Sequence, residues 1–136
     1  MLPLADAFAA YVQQLTGQAP QWLPWSGTSL PGYLSQRYEP LLASIADRTW
    51  LVLLLRQPDP PPPLQLSKQL QQLLSRLQPQ PAGVCLVAEQ LPPYLRTRLV
   101  ELGQPFVVPG RQLFWPALGS VETVQRPQRT APQAVD

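Results

Sequence analysis

The chain has 136 residues, 45% of them hydrophobic, which suits a single domain with its own core. Ten Lys and Arg against eight Asp and Glu leave a net charge of +2, too small a bulk field to gather nucleic acid by itself. The absence of histidine and the lone cysteine exclude a histidine-assisted nucleophile, an ordinary zinc site and an internal disulfide.

The elements follow in chain order. Residues 3–16 read as a helix: Leu4, Phe8, Tyr11, Val12 and Leu15 make one apolar face, and Gly17 is a stop signal. Asp6 in its first turn favours the positive end of the dipole. The segment 18–32 is rich in turn formers, with Gln21 to Trp25 as a short edge strand. Residues 33–47 return to helical spacing through Leu34, Tyr38, Leu41, Leu42 and Ile45, with a kink or break expected at Pro40. Thr49 to Leu55 is a continuous apolar run, as expected of a central strand buried on both faces of a parallel sheet. The prolines of Arg56 to Pro63 predict a stiff, extended crossover.

Leu66, Leu70, Leu73, Leu74 and Leu77 then predict an amphipathic helix. The stretch from Gly83 to Trp115 is the most informative of the chain. It reads as strand (Val84–Val87, enclosing Cys85), helix (opened by Pro92 and Pro93, closed by Gly103), strand (Phe106–Val108), turn and strand (Gln112–Trp115). Pro109 and Gly110 fit the centre of a type II turn, so the last two strands form a β-hairpin. Strands alternating with helices predict an α/β fold: a small, mostly parallel sheet of three to five strands flanked by helices. Residues 1–119 form a single domain in this reading. Residues 120–136 are polar and proline-bearing, as expected of a linker or tail.

No catalytic or metal-binding constellation is present. No GxGxxG or GxxxxGK[ST] loop follows a strand, and no cofactor is expected. A nuclease-type Asp with Glu-x-Lys is also missing, since Leu66 stands two before Lys68, the only lysine, and Leu91 two after Glu89. Tyr94, Arg96, Arg98, Arg111 and Gln112 are the candidates for nucleic-acid or ligand contact. Arg96 and Arg98, two apart on a helix, are expected to splay. Trp22, Trp25 and Trp115 are candidate interface residues, for a homodimer or a neighbouring domain. The longest strictly apolar run, Trp50 to Leu55, is far short of a membrane span. The N-terminus carries Asp6 and no basic leader, so a cytoplasmic location is expected.

The runs LPGYLSQRYEP, TWLVLLLRQ and LPPYLRTRLVELGQPFVVPGRQLFWPALG resemble the N-terminal domain of bacterial MarR-type or winged-helix transcriptional regulators. The most specific part spans Leu99, Gly103, Pro105 to Gly110, Gln112 to Phe114 and Pro116, and the resemblance covers about residues 1–119. It implies a non-enzymatic regulatory or interaction domain whose DNA-binding winged helix lies outside this chain. It brings no catalytic residues with it. Two alternatives stand beside it. One is direct nucleic-acid contact through Arg96, Arg98 and Arg111. The other is a small-ligand α/β domain with its site beyond the carboxyl ends of the strands, at Arg56 and Asp59, Glu89 and Gln90, and the Pro109-Gly110 turn.

Overall fold

The structure, a computed structural model, describes residues 3–24, 32–56, 60–77, 79–118 and 120–123. Helix α1 (Leu4–Thr16) forms where the apolar spacing requires it and buries Phe8, Tyr11 and Val12. It ends at Gly17, whose φ of 75° turns the chain left-handed while its N–H donates to the Gln13 carbonyl at 2.9 Å. There follow β1 (Gln21–Leu23), α2 (Gly32–Arg37), β2 (Tyr38–Ile45) and β3 (Arg48–Leu55). Next come α3 (Pro63–Ser75), β4 (Gly83–Val87), α4 (Pro93–Leu102), β5 (Phe106–Val108), β6 (Gln112–Trp115) and β7 (Ser120–Thr123). A 3-10 turn, Pro116–Leu118, joins the last two strands. No helix among the described residues is long and apolar enough to cross a membrane.

The α/β class and the flanking helices are as the sequence predicts, and so is the hairpin of β5 and β6. The sheet itself is larger and more mixed than expected. Among the described residues seven strands lie side by side in chain order. Only β3–β4 and β4–β5 pair in parallel, and the other neighbours are antiparallel. Parallel pairing needs a crossover between strands, and helices α3 and α4 supply those between β3, β4 and β5.

Two corrections account for the difference. Residues 38–45, expected to be helical, are a strand paired along its length with β3, from Tyr38 opposite Leu55 to Ile45 opposite Arg48. Their apolar spacing fits either state: Tyr38 and Leu42 pack on one face of the sheet, and Ala43 and Ile45 on the other. Pro40 decides it. Inside a helix it would cost about 3 kcal/mol. In β2 it lies past Leu42, the last residue that β1 covers, so among the described residues β3 is the only strand it pairs with and its missing N–H is tolerated as on an edge strand. The second correction concerns residues 120–123. The tail was expected to begin there, but Ser120–Thr123 is an edge strand on β6. Backbone pairing holds it, without the apolar pattern that announces a buried strand. Residues 124–136 lie outside the described residues.

Each face of the sheet carries a core. Leu51, Leu53 and Leu55 of β3 meet Leu66, Leu70 and Leu73 of α3 and Leu95 and Leu99 of α4 on one side. Trp50, Val52 and Leu54 meet Phe8 and Val12 of α1 on the other. The strand period of two sends alternate residues to opposite sides, so a run of six apolar residues satisfies both.

The β2–β3 hairpin turns on Ala46 and Asp47, with φ of 51° and 66°. A two-residue turn with both centres left-handed matches the strand twist, but the conformation costs a non-glycine residue about 1–2 kcal/mol. Glycine at position 46 removes that strain and adds back about 0.5–1 kcal/mol of unfolded-state entropy. Ala46→Gly is therefore expected to stabilise the protein by about 0.5–1 kcal/mol in urea denaturation, and a lower midpoint for the variant would contradict this account of the turn.

The buried Tyr38 hydroxyl donates to Gln69 Oε1 at 2.8 Å, tying β2 to α3. Burial pushes its pKa up to about 12 from the ordinary 10.0, with the neighbouring Arg37 opposing part of the rise. The unfolded chain releases this proton near the ordinary value while the folded chain keeps it. Stability is therefore fully present below that value and falls as pH rises toward 12. The urea midpoint should drop between pH 9 and pH 11, and Tyr38→Phe should drop less; equal drops in both proteins would remove Tyr38 as the cause.

Candidate functional site

The parallel strands β4 and β5 end side by side, with Leu86 opposite Phe106 and Val87 opposite Val107. Beyond those ends the two connections diverge. The chain after β4 runs through Gln90 and Leu91 into α4, and the chain after β5 turns back at Pro109 and Gly110. The space between them is a hollow of about 460 Å³. Its walls are Gln90 to Pro93, Arg96 from α4, Val108 from the end of β5, and Arg111. Two arginines and no acidic residue are among the described residues that line it.

Local sequence explains each wall. Pro92, with φ of −59° and ψ of 147°, and Pro93 set the first turn of α4. Neither has an N–H to offer. The Leu95 and Arg96 N–H groups both turn inward to the Pro92 carbonyl, at 3.1 Å each. The helix start therefore presents few free donors, and the charge of the hollow comes from side chains. The Arg111 N–H donates to the Val108 carbonyl at 2.9 Å, and Gly110 has φ of 81°, which is the type II turn expected at Pro109-Gly110. At the far end of α4, the buried Gln104 amide donates to the carbonyls of Val84 and Pro105, both at 2.9 Å. That clamp fixes α4 against the strands whose ends form the hollow.

Arg96 is held sideways. Its Nη1 donates to Gln112 Oε1 on β6 at 3.1 Å, while its Nε is closed to solvent and has no hydrogen-bond partner among the described residues. Arg96 and Arg111 thus share the hollow, with Gln112 beside them as a support for Arg96. Arg98 does not join them: it pairs with Glu101 at 2.7 Å on the exposed side of α4. Tyr94, 63% exposed, lies next to the lining residue Pro93 in the chain but is not itself part of the wall.

The three tryptophans divide. Trp115 is wholly buried, edge-on to Trp50 at 5.1 Å, so the expectation that it serves an interface is corrected. Its position in β6 points it at the α1 face, where Phe8 lies 6.2 Å away. Trp22 is 40% exposed and leans on Phe8 at 5.9 Å, covering the α1 core from the edge strand. Trp25 lies outside the described residues, as does Asp59.

Gln90, Leu91, Pro92, Pro93 and Val108 complete the wall, and of these only Gln90 was singled out, by its place after a strand end. A second concavity, about 290 Å³, lies near the amino ends of β3 and β4 between Leu23, Leu42, Leu77 and Pro81. It carries no charged side chain. Among the described residues no group of three His, Cys, Asp or Glu could hold a metal ion. No family model matches the chain, and neither a curated protein nor a solved structure does.

Cys85 faces the α1 core from β4, and burial raises its thiol pKa well above the ordinary value. It should stay inert toward a thiol reagent such as dithionitrobenzoate in the native protein and react once urea unfolds the chain; rapid native labelling at pH 8 would show the core to be open there.

Proposed function

We propose that this chain is a non-catalytic regulatory module that takes a small ligand into the hollow beyond β4 and β5. The observation that carries the reading is the hollow itself: concave, of small-ligand size, at the carboxyl ends of adjacent parallel strands, with two arginines among apolar lining residues. Arg96 and Arg111 come from different elements, and the fold brings them together. The resemblance to the N-terminal domains of winged-helix regulators gives such a site a purpose. A ligand held there would bias how this domain meets a DNA-binding segment outside the chain, so that the hollow acts as a sensor.

The arrangement favours this over phosphate-backbone contact. A nucleic-acid surface spreads its cations outward along a face. Here Arg98 is paired with Glu101 and Arg96 with Gln112, and Arg96 is half-buried.

Two-dimensional NMR of the labelled protein against a panel of small organic fragments tests the reading. Amide shifts should converge on Gln90, Leu91, Arg96, Val108 and Arg111, and they should saturate. A panel that moves only the concavity near Leu77, or nothing, would remove the proposal.

A further inference from the structure

We infer that the ligand of this hollow is a small organic oxyanion, with its charged group on Arg96 and Arg111 and its apolar body against Leu91, Pro92, Pro93 and Val108. The inference rests on the ligand-binding reading above and names the chemistry that the walls select.

Charge comes first. Among the described residues the lining has two arginines and no acidic residue, and the only ion pair, Arg98 with Glu101, lies outside it. Neither Arg96 nor Arg111 is therefore neutralised from within the wall. The prolines at the start of α4 remove backbone donors, so recognition of an anion falls to the two side chains.

Geometry narrows the class. A guanidinium presents its donors as edges, and the edge formed by Nε and Nη2 matches the two oxygens of a carboxylate or a phosphate. Arg96 spends Nη1 on Gln112, which leaves that edge intact. Its Nε–H has no hydrogen-bond partner among the described residues. An unpaired buried donor on a charged group is a standing cost, and an oxyanion is the acceptor it lacks. Nε is closed to solvent as the side chain now lies, so an oxygen reaches it by a small turn of Arg96, which its half-buried position permits. Gln112 is a positioning residue here: it fixes which edge of the guanidinium is left over. Arg111, exposed next to the Pro109-Gly110 turn, lines the same hollow and supplies the second cation.

The rest of the wall is not that of an inorganic-ion site. Leu91, Pro92, Pro93 and Val108 offer hydrocarbon, and about 460 Å³ exceeds what a bare phosphate fills. The walls fit an acid with an apolar body of a few carbons or one ring.

Titrations followed by NMR decide it, using phenyl phosphate, benzoate, inorganic phosphate and the neutral benzyl alcohol. Phenyl phosphate or benzoate should saturate the shifts of Gln90, Leu91, Arg96, Val108 and Arg111, and the stronger of the two identifies the oxyanion. Benzyl alcohol should bind about tenfold or more weakly, the loss expected when charge-assisted hydrogen bonds are removed. Arg96→Lys keeps the charge and loses the two-donor edge, so it should also weaken the stronger anion by about tenfold. Arg111→Gln should weaken it several-fold. Melting curves of the unliganded variants confirm that each is folded. Benzyl alcohol binding as tightly as the anions at the same amides would overturn the oxyanion and leave the ligand-binding reading standing. Inorganic phosphate binding as tightly as phenyl phosphate would overturn the apolar half. If no probe moves these amides, both readings fall.

Discussion

The burial of β3 on both faces is the constraint on which the rest of the molecule depends. Trp50 to Leu55 are all buried, and alternate residues belong to different cores. Fully burying a leucine or valine is worth about 1.5–3 kcal/mol, so this one strand supplies a large share of the driving force. It is also where the sheet changes direction, antiparallel toward β2 and parallel toward β4. Gly83, opposite Trp50 in β4, makes that pairing fit. A Cβ at Gly83 would lie 2.7 Å from Trp50 Cζ3, so the indole rests over a backbone without a side chain. The same indole then meets Trp115 and closes the α1 core.

The site follows from the change of direction. Antiparallel neighbours send their chain ends to alternate edges of a sheet. Parallel neighbours send their carboxyl ends to the same edge and need crossovers to do it. Among the described residues β3, β4 and β5 are the only parallel neighbours, so their carboxyl ends lie side by side at one edge, and the hollow lies between two of them. The Gln104 clamp at one end of α4 and the Arg96–Gln112 bond nearer its start hold the helix to both neighbours of the hollow.

Much of the fold is legible where local chemistry and packing agree. Gly17, Gly103 and Gly110 each take positive φ where the sequence places a stop or a turn. The paired prolines open α4, and the leucine stripe makes α3. Legibility fails at β2, where apolar spacing suits a helix and a strand alike. The turn that closes the β2–β3 hairpin, Ala46–Asp47, carries no glycine to announce it. It fails again at Ser120–Thr123, an edge strand defined by its neighbour. At the site, the cations are visible in sequence but their convergence is not. Arg96 and Arg98 look like a pair and part company, while Arg96 and Arg111 meet only because α4 packs beside the β5–β6 turn. Trp115 reads as a candidate interface residue until the pleat of β6 assigns it to the inner face.

The strand order carries a consequence for how the molecule is built. Each strand of the sheet lies beside the one before it in the chain. No strand has to be inserted between two that are already paired, and no early strand waits for a distant partner. A nascent chain can lay the sheet down from one edge to the other, each new strand docking on the last as it leaves the ribosome. Loosening from the β7 edge can likewise proceed one strand at a time. The first interior strand reached on that path is β6, which carries both Gln112 and Trp115. Fraying of that edge would release the support of Arg96 and the wall of the α1 core together.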